Sequence, residues 1–188
     1  MKPFAFNGVI VARDGLKLSV KDASGQVQAF DLSEKTRLIQ VSPMSLDQIK
    51  PGSFVATANN AESGVSSELR VFGPSLNHLG EGSYPMQDGQ NMTNGAVKVV
   101  VATPKGREMD VGYDPKCTTN VQDAHCKSGV RHITVPPTMV IHGWDAVSIE
   151  ALKPGVAVSV RGGQAAAGGP PYAVRAVFVG VNGEPPAL

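Results

Sequence analysis

One eight-residue phrase occurs twice in this chain: Ser45-Leu46-Asp47-Gln48-Ile49-Lys50-Pro51-Gly52 returns as Ser148-Ile149-Glu150-Ala151-Leu152-Lys153-Pro154-Gly155. The apolar, acidic and Lys-Pro-Gly positions are all in register. Self-similarity of this kind means that one supersecondary unit is used twice, and it constrains the fold more than local propensity does. The match extends outward. Asn7-Gly8 corresponds to Asn94-Gly95, and Val27, Phe30, Leu32 and Leu38 correspond to Val130, Ile133, Val135 and Ile141. The offset is 87 at the first strand and 103 from Val27 onward, so the second copy carries 16 extra residues, most of them around Cys117 and Cys126.

Within each copy the apolar residues alternate in short runs, such as Val9-Val11, Leu16-Leu18-Val20 and Phe30-Leu32, bounded by Gly, Asp, Asn or Pro. That period of two, with Ala12-Arg13-Asp14-Gly15 and Asp22-Ala23-Ser24-Gly25 as tight turns, reads as a meander of strands. The Ser-Leu-Asp-Gln-Ile stretch has an N-cap serine and an apolar i, i+3 pair, which gives one helical turn before Lys-Pro-Gly stops it. Gly52 and Gly155 are expected at equivalent positions with positive φ. The expected fold is all-β: two tandem small antiparallel β-barrel-like (OB-like) modules, each with one short helical turn. Their boundaries fall at 4–73 and 94–181, with a Gly-rich linker at 74–93 and an inserted cysteine loop at 114–129. Phe30/Ile133, Leu32/Val135 and Leu38/Ile141 are expected as matched core pairs, because a one-residue slip would turn the whole set outward.

Seventeen basic residues face sixteen acidic ones, and no basic stripe supplies the footprint that non-specific nucleic-acid binding needs. No segment approaches the roughly 18 consecutive apolar residues of a membrane span. The N-terminus reads directly as a strand and shows no long apolar h-region.

Both Lys-Pro-Gly segments, preceded by Ser-Leu or Ser-Ile and followed by Phe-Val or Val-Ala-Val, resemble the DUF5666-type repeats of bacterial exported proteins. Leu79-Gly80-Glu81-Gly82 through Met92-Thr93-Asn94 is similar to a segment of a two-copy, uncharacterised periplasmic family. The resemblance implies a β fold and a periplasmic or secreted location, and it supplies no catalytic residues. The loop Asp114 to Gly129 departs from the usual pattern.

Cys117 and Cys126, the only cysteines, read as a disulfide stapling that loop. With His125 they form the alternative set of soft ligands for Cu or Zn, a choice that a disulfide would abolish. No nucleophile elbow, P-loop or dinucleotide fingerprint is present, and no catalytic residue is assigned. Tyr84 and Tyr172, both in Pro-containing segments, and His78 and Glu81 of the linker are the candidates for ligand or partner contact. The expected function is therefore a non-catalytic binding or scaffold module of the cell envelope, taking an envelope protein, a polysaccharide or a small ligand, with no cofactor. The alternative is a periplasmic metal-handling protein using Cys117, His125 and Cys126.

Overall fold

The computed structural model describes residues 1–116, 126–164, 168 and 170–186. The elements are nearly all strands: β1 (Lys2–Asp14), β2 (Lys17–Lys21), β3 (Val27–Asp31), β4 (Arg37–Met44), β5 (Phe54–Asn60), β6 (Ser66–Phe72), β7 (Gly82–Pro85), β8 (Gln90–Thr103), β9 (Gly106–Tyr113), β10 (Gly129–Val135), β11 (Ile141–Ala146), β12 (Ala157–Gln164) and β13 (Tyr172–Val179). The two copies of the repeated phrase form single 3-10 turns, Leu46–Gln48 and Ile149–Ala151. In the first, the Ser45 hydroxyl accepts from Asp47 N and the Gln48 side chain accepts from Ser45 N, a capping box that stops the turn fraying. In the second, Ser148 makes no side-chain cap bond, and Glu150 pairs with Arg13, whose Nε also donates to Leu152 O, as Asp47 pairs with Arg107 in the first.

The chain forms two compact units, and neither is a contiguous copy of the repeat. Unit 1 comprises Met1–Ser42 and Asp145–Leu188; unit 2 is Pro43–Trp144. The boundaries expected at 4–73 and 94–181 thus give way to an exchange in which each unit joins the first half of one copy to the second half of the other. Unit 1 orders its strands β4-β13-β12-β1-β2-β3, and unit 2 orders the corresponding strands β11-β6-β5-β8-β9-β10.

The registers of the two units coincide. Ala157 faces Val9 across β12 and β1, as Phe54 faces Ala96 across β5 and β8. Bulges fall at Ile10/Ala12 and Val97/Val99, and again at Arg161/Gly162 and Ala58/Asn59. Each Lys-Pro-Gly turn is pinned to the first strand of the other copy. Gly52 N donates to Val97 O and Val97 N to Ser53 O, both 2.8 Å; Gly155 N donates to Ile10 O at 2.8 Å and Ile10 N to Val156 O at 2.9 Å. Gly52 and Gly155 have φ of +92° and +88°, the left-handed backbone that glycine adopts without strain.

Each unit has its own core. Unit 1 buries Ile10, Leu18, Val20 and Phe30 against Leu152, Val158, Val160 and Val177. Unit 2 buries Val97, Met109, Val111 and Ile133 against Ile49, Val55, Leu69 and Val71. Phe30/Ile133 and Leu32/Val135 are buried in both, whereas Ile141 is buried and Leu38 only partly so. The closed tandem barrels expected from sequence are corrected to open sheets. In unit 1 the order ends on β4 and β3, and in unit 2 on β11 and β10, and among the described residues no ladder joins the two ends. A single parallel bridge, Val65 with Thr134, approaches closure in unit 2.

The expected linker 74–93 is in part a strand. After a 3-10 turn at Pro74–Leu76, β7 pairs antiparallel with β8, Gly82 facing Asn94 and Pro85 facing Asn91. Its glycines hid it from propensity, but a ladder is made by backbone groups, and β8 offers them beyond the end of β9. This strap buries Leu76 and leaves Phe54, Ala56 and Thr93 with almost no exposure.

Candidate functional site

A cleft of about 540 Å³ opens on the outer face of unit 1. The inward residues of β1, Phe4, Phe6 and Ile10, join the core, so Asn7 and Val9 necessarily point outward and form the floor. Gly8 lies between them because a Cβ there would meet Lys21 O at 2.2 Å; Gly95 stands in the same relation to Gly112 O, 2.3 Å from its would-be Cβ. The repeated Asn-Gly thus sits inside the strand where it crosses its neighbour most closely, rather than ahead of it. Lys21 and Asp22 close one side of the cleft. Opposite, the segment after β13 turns back, with Gly180 N donating to Ala157 O and Glu184 N to Val181 O, and presents Gly183, Pro185 and Pro186 as an apolar wall.

The charges around the cleft have unequal freedom. Asp22 accepts from Ser24 N, Ser24 Oγ and Gln26 N at 2.7–2.9 Å, which holds its carboxyl below the usual range, the Ser24 hydroxyl contributing most. Its negative charge is thereby spent on its own turn. Arg161 Nε donates to Ser159 Oγ. Lys21 is exposed and carries no ion pair among the described residues.

His78, Glu81 and Tyr84 are brought together in the strap. The His78 ring pairs with Glu81, the Tyr84 hydroxyl donates to Gly80 O and Glu81 O, and Glu81 Oε1 accepts from Asp114 N at 2.9 Å. Burial, and then the Glu81 charge, push the Tyr84 hydroxyl above its ordinary pKa. The Tyr84 bonds and the His78–Glu81 pair close the strap on itself, while Glu81 ties it to Asp114 and the His78 ring packs on Phe54. Tyr172 is elsewhere, packed among Phe4 and Phe30 in unit 1. Cys117 and His125 lie outside the described residues, and with them both the expected disulfide with Cys126 and the alternative metal set.

Sequence reading passed over the outer face of β9 and β10. The two His132 ring nitrogens lie 2.8 Å from Asp110 Oδ1 and 2.9 Å from Glu108 Oε2, both carboxylate acceptors, and Thr134 Oγ1 donates to the same Glu108 oxygen. The hydrogen bond to Asp110, above all, raises the His132 pKa. Both ring nitrogens are engaged by carboxylates, so this is an ion triad. Among the described residues no group of three or more His, Cys, Asp or Glu side chains is arranged to hold a metal ion.

No protein-family model, curated protein or solved structure matches the chain. No helix among the described residues is long and apolar enough to cross a membrane.

Three strands and a terminal segment supply the cleft, and sequence reading singled out neither Lys21 nor Arg161, and Asp22 only as part of a turn. The one signal that pointed there was the Asn-Gly pair common to both copies.

Proposed function

We propose that the chain is a non-catalytic binding or scaffold module of the cell envelope whose binding element is the outer face of unit 1. The observation that supports this reading is the contrast between equivalent faces: in unit 2 the chain's own strap covers β5 and β8, and in unit 1 the corresponding surface of β12 and β1 holds an open cleft. A concave, largely apolar site with a few convergent polar groups is the usual form of a ligand site. The envelope location rests on the resemblance of the Lys-Pro-Gly repeats to exported proteins.

The test is an amide-resolved titration of the full chain with peptides, oligosaccharide fragments and small polar ligands. Saturable shifts are expected at Asn7–Val9, Lys21–Ala23 and the turn after β13. Perturbation confined to unit 2, or no saturable shift with any class, overturns the reading.

A further inference from the structure

Unit 2 shows what the equivalent edge of unit 1 is built to receive. There the first-strand residues Asn91–Asn94 are hydrogen-bonded on one side to β5 and on the other to β7. By register the corresponding residues of unit 1 are Phe4–Asn7. They pair with β12 on one side, and among the described residues no strand lies on the other, since β2 ends at Lys21 opposite Val9.

The backbone direction is set by the Ile10 bonds. Ile10 directs its N–H and C=O toward Val156 and Gly155 on the β12 side. Alternation then sends the same groups of Phe6 and Phe4 toward β12, and those of Ala5 and Asn7 toward the open edge. The same count in unit 2 sends Gln90 toward the strap, where Met86 N donates to Gln90 O at 2.7 Å. Ala5 and Asn7 are exposed, while their counterparts Met92 and Asn94 are partly covered. Such a row of free donors and acceptors is a template for an added strand, and Pro3, which lacks an N–H, limits its length at one end.

Charge specifies the occupant further. In unit 2 the residue just ahead of the paired segment is Glu81, whose carboxylate reaches Asp114 N beyond the end of β9. The register makes Gly112 equivalent to Lys21 and Asp114 equivalent to Ala23. A carboxylate in the corresponding place on unit 1 would lie in the cleft beside the Lys21 ammonium. Asp22 does not oppose it strongly, because its own carboxylate faces the Ser24 and Gln26 amides.

We propose that unit 1 binds an extended segment of a partner polypeptide, antiparallel to Phe4–Asn7, with an acidic residue immediately N-terminal to the paired stretch facing Lys21. This rests on the reading of the unit 1 face as the binding element. The segment adds to the sheet as β7 does in unit 2, and the apolar wall of Pro185 and Pro186 flanks it.

The probe is a capped, fluorescently labelled peptide with the sequence of residues 79–86, titrated into the full chain by anisotropy and by amide shifts. Saturable binding with shifts at Ala5 and Asn7 is expected. Lys21→Glu weakens it tenfold or more, and exchanging the peptide's glutamate for lysine restores affinity to that variant. N-methylation of the peptide amides that face Ala5 and Asn7 abolishes binding while leaving the protein untouched. Binding indifferent to N-methylation and to Lys21→Glu, or shifts at Asn91–Asn94 that show the peptide replacing β7, overturns the proposal. No peptide binding alongside saturable oligosaccharide or small-ligand shifts in the cleft overturns the peptide proposal alone. Silence with every probe overturns the functional reading as well.

Discussion

At corresponding ends of their sheets, unit 1 buries aromatic rings where unit 2 buries a polar network. In unit 1, Phe6 faces Val160 and Phe4 faces Gly162, and the rings of Phe4, Phe6 and Tyr172 lie 5.3–5.8 Å from Phe30. Gly162 leaves the room: a Cβ there would stand 2.9 Å from the Phe4 ring. In unit 2 the matching pairs are Thr57 with Thr93 and Asn59 with Asn91. The Asn59 amide donates to Thr93 Oγ1 and Thr57 O, its carbonyl accepts from Arg131 Nε at 2.9 Å, and Thr57 and Ser66 share a 2.8 Å hydroxyl contact.

The difference explains why the copies exchange halves. Contiguous copies would set Thr57 opposite Phe6 and Asn59 opposite Phe4, and would give Arg131 a glycine, Gly162, in place of the Asn59 carbonyl. A buried polar group left unsatisfied costs about 1–3 kcal/mol. Size sorts in the same direction, since Phe54 meets Ala96 and Ala157 meets Val9, where contiguous pairing would oppose Phe54 to Val9 and Ala157 to Ala96. The exchanged pairing satisfies both ends, so the two ends act as matching keys for the halves.

The largest effect expected from breaking this comparison is that of Phe30→Ala. Removing the ring at the centre of the aromatic end should cost about 3–5 kcal/mol. Native-state hydrogen exchange should show β12 and β13 losing protection while β5 and β6 keep theirs; equal loss in both units would refute independent cores. Next is Asn59→Leu, which strips Arg131 of a side-chain acceptor and Thr93 of a donor. A loss of about 1–3 kcal/mol is expected. Denaturant unfolding followed through Trp144, the only tryptophan and a member of unit 2, measures it. A neutral result would show that the polar end does not select the pairing.

Gly52→Val and Gly155→Val sharpen the exchange itself. Each should cost about 1–3 kcal/mol through strain at positive φ. Gly52 belongs to the first copy but is pinned to β8, so its replacement should destabilise the unit that Trp144 reports, and Gly155→Val should act on the other. The reverse assignment would mean that the copies are contiguous.

The smallest expected effect is a pH dependence in unit 2. Raised in the folded state, the His132 pKa makes a contribution that is complete below the unfolded value, near 6.5, and fades as pH rises through the folded value. His142 has the opposite sign: burial, then Arg70, lower its pKa, so its contribution holds above the unfolded value and is lost as pH falls through the folded one. His132→Ala should therefore remove the loss of stability on the alkaline side. Melting curves of unit 2 from pH 5 to 8 that do not change with this variant would show the ion triad to be energetically silent, as many exposed pairs are.

Much of the fold is legible along the chain. Alternating apolar residues, the Asn-Gly and Lys-Pro-Gly pairs, and the correspondence of Phe30 with Ile133 and Leu32 with Val135 each follow from local pattern, because strand period and turn chemistry are local properties. The strap was less legible: Gly80, Gly82 and Pro85 argue against a strand, and only an unfilled edge on β8 recruits Gly82–Pro85 into one. The cleft was nearly illegible, since Asn7, Lys21 and Arg161 are single polar residues on three strands with no common spacing.

By itself the sequence determined a duplicated, all-β chain whose two Lys-Pro-Gly turns need glycine at positive φ. Which half pairs with which was decided only in the tertiary structure. Strand alternation is identical in both copies, so it cannot distinguish β8 from β1 as a partner for β5. The choice lies in side chains that meet across the ladder from distant parts of the chain: Asn59 with Thr93 and Arg131, Phe54 with Ala96, and Gly162 with Phe4. Polar groups must find partners and rings must find space, and those demands appear only when the strands are side by side.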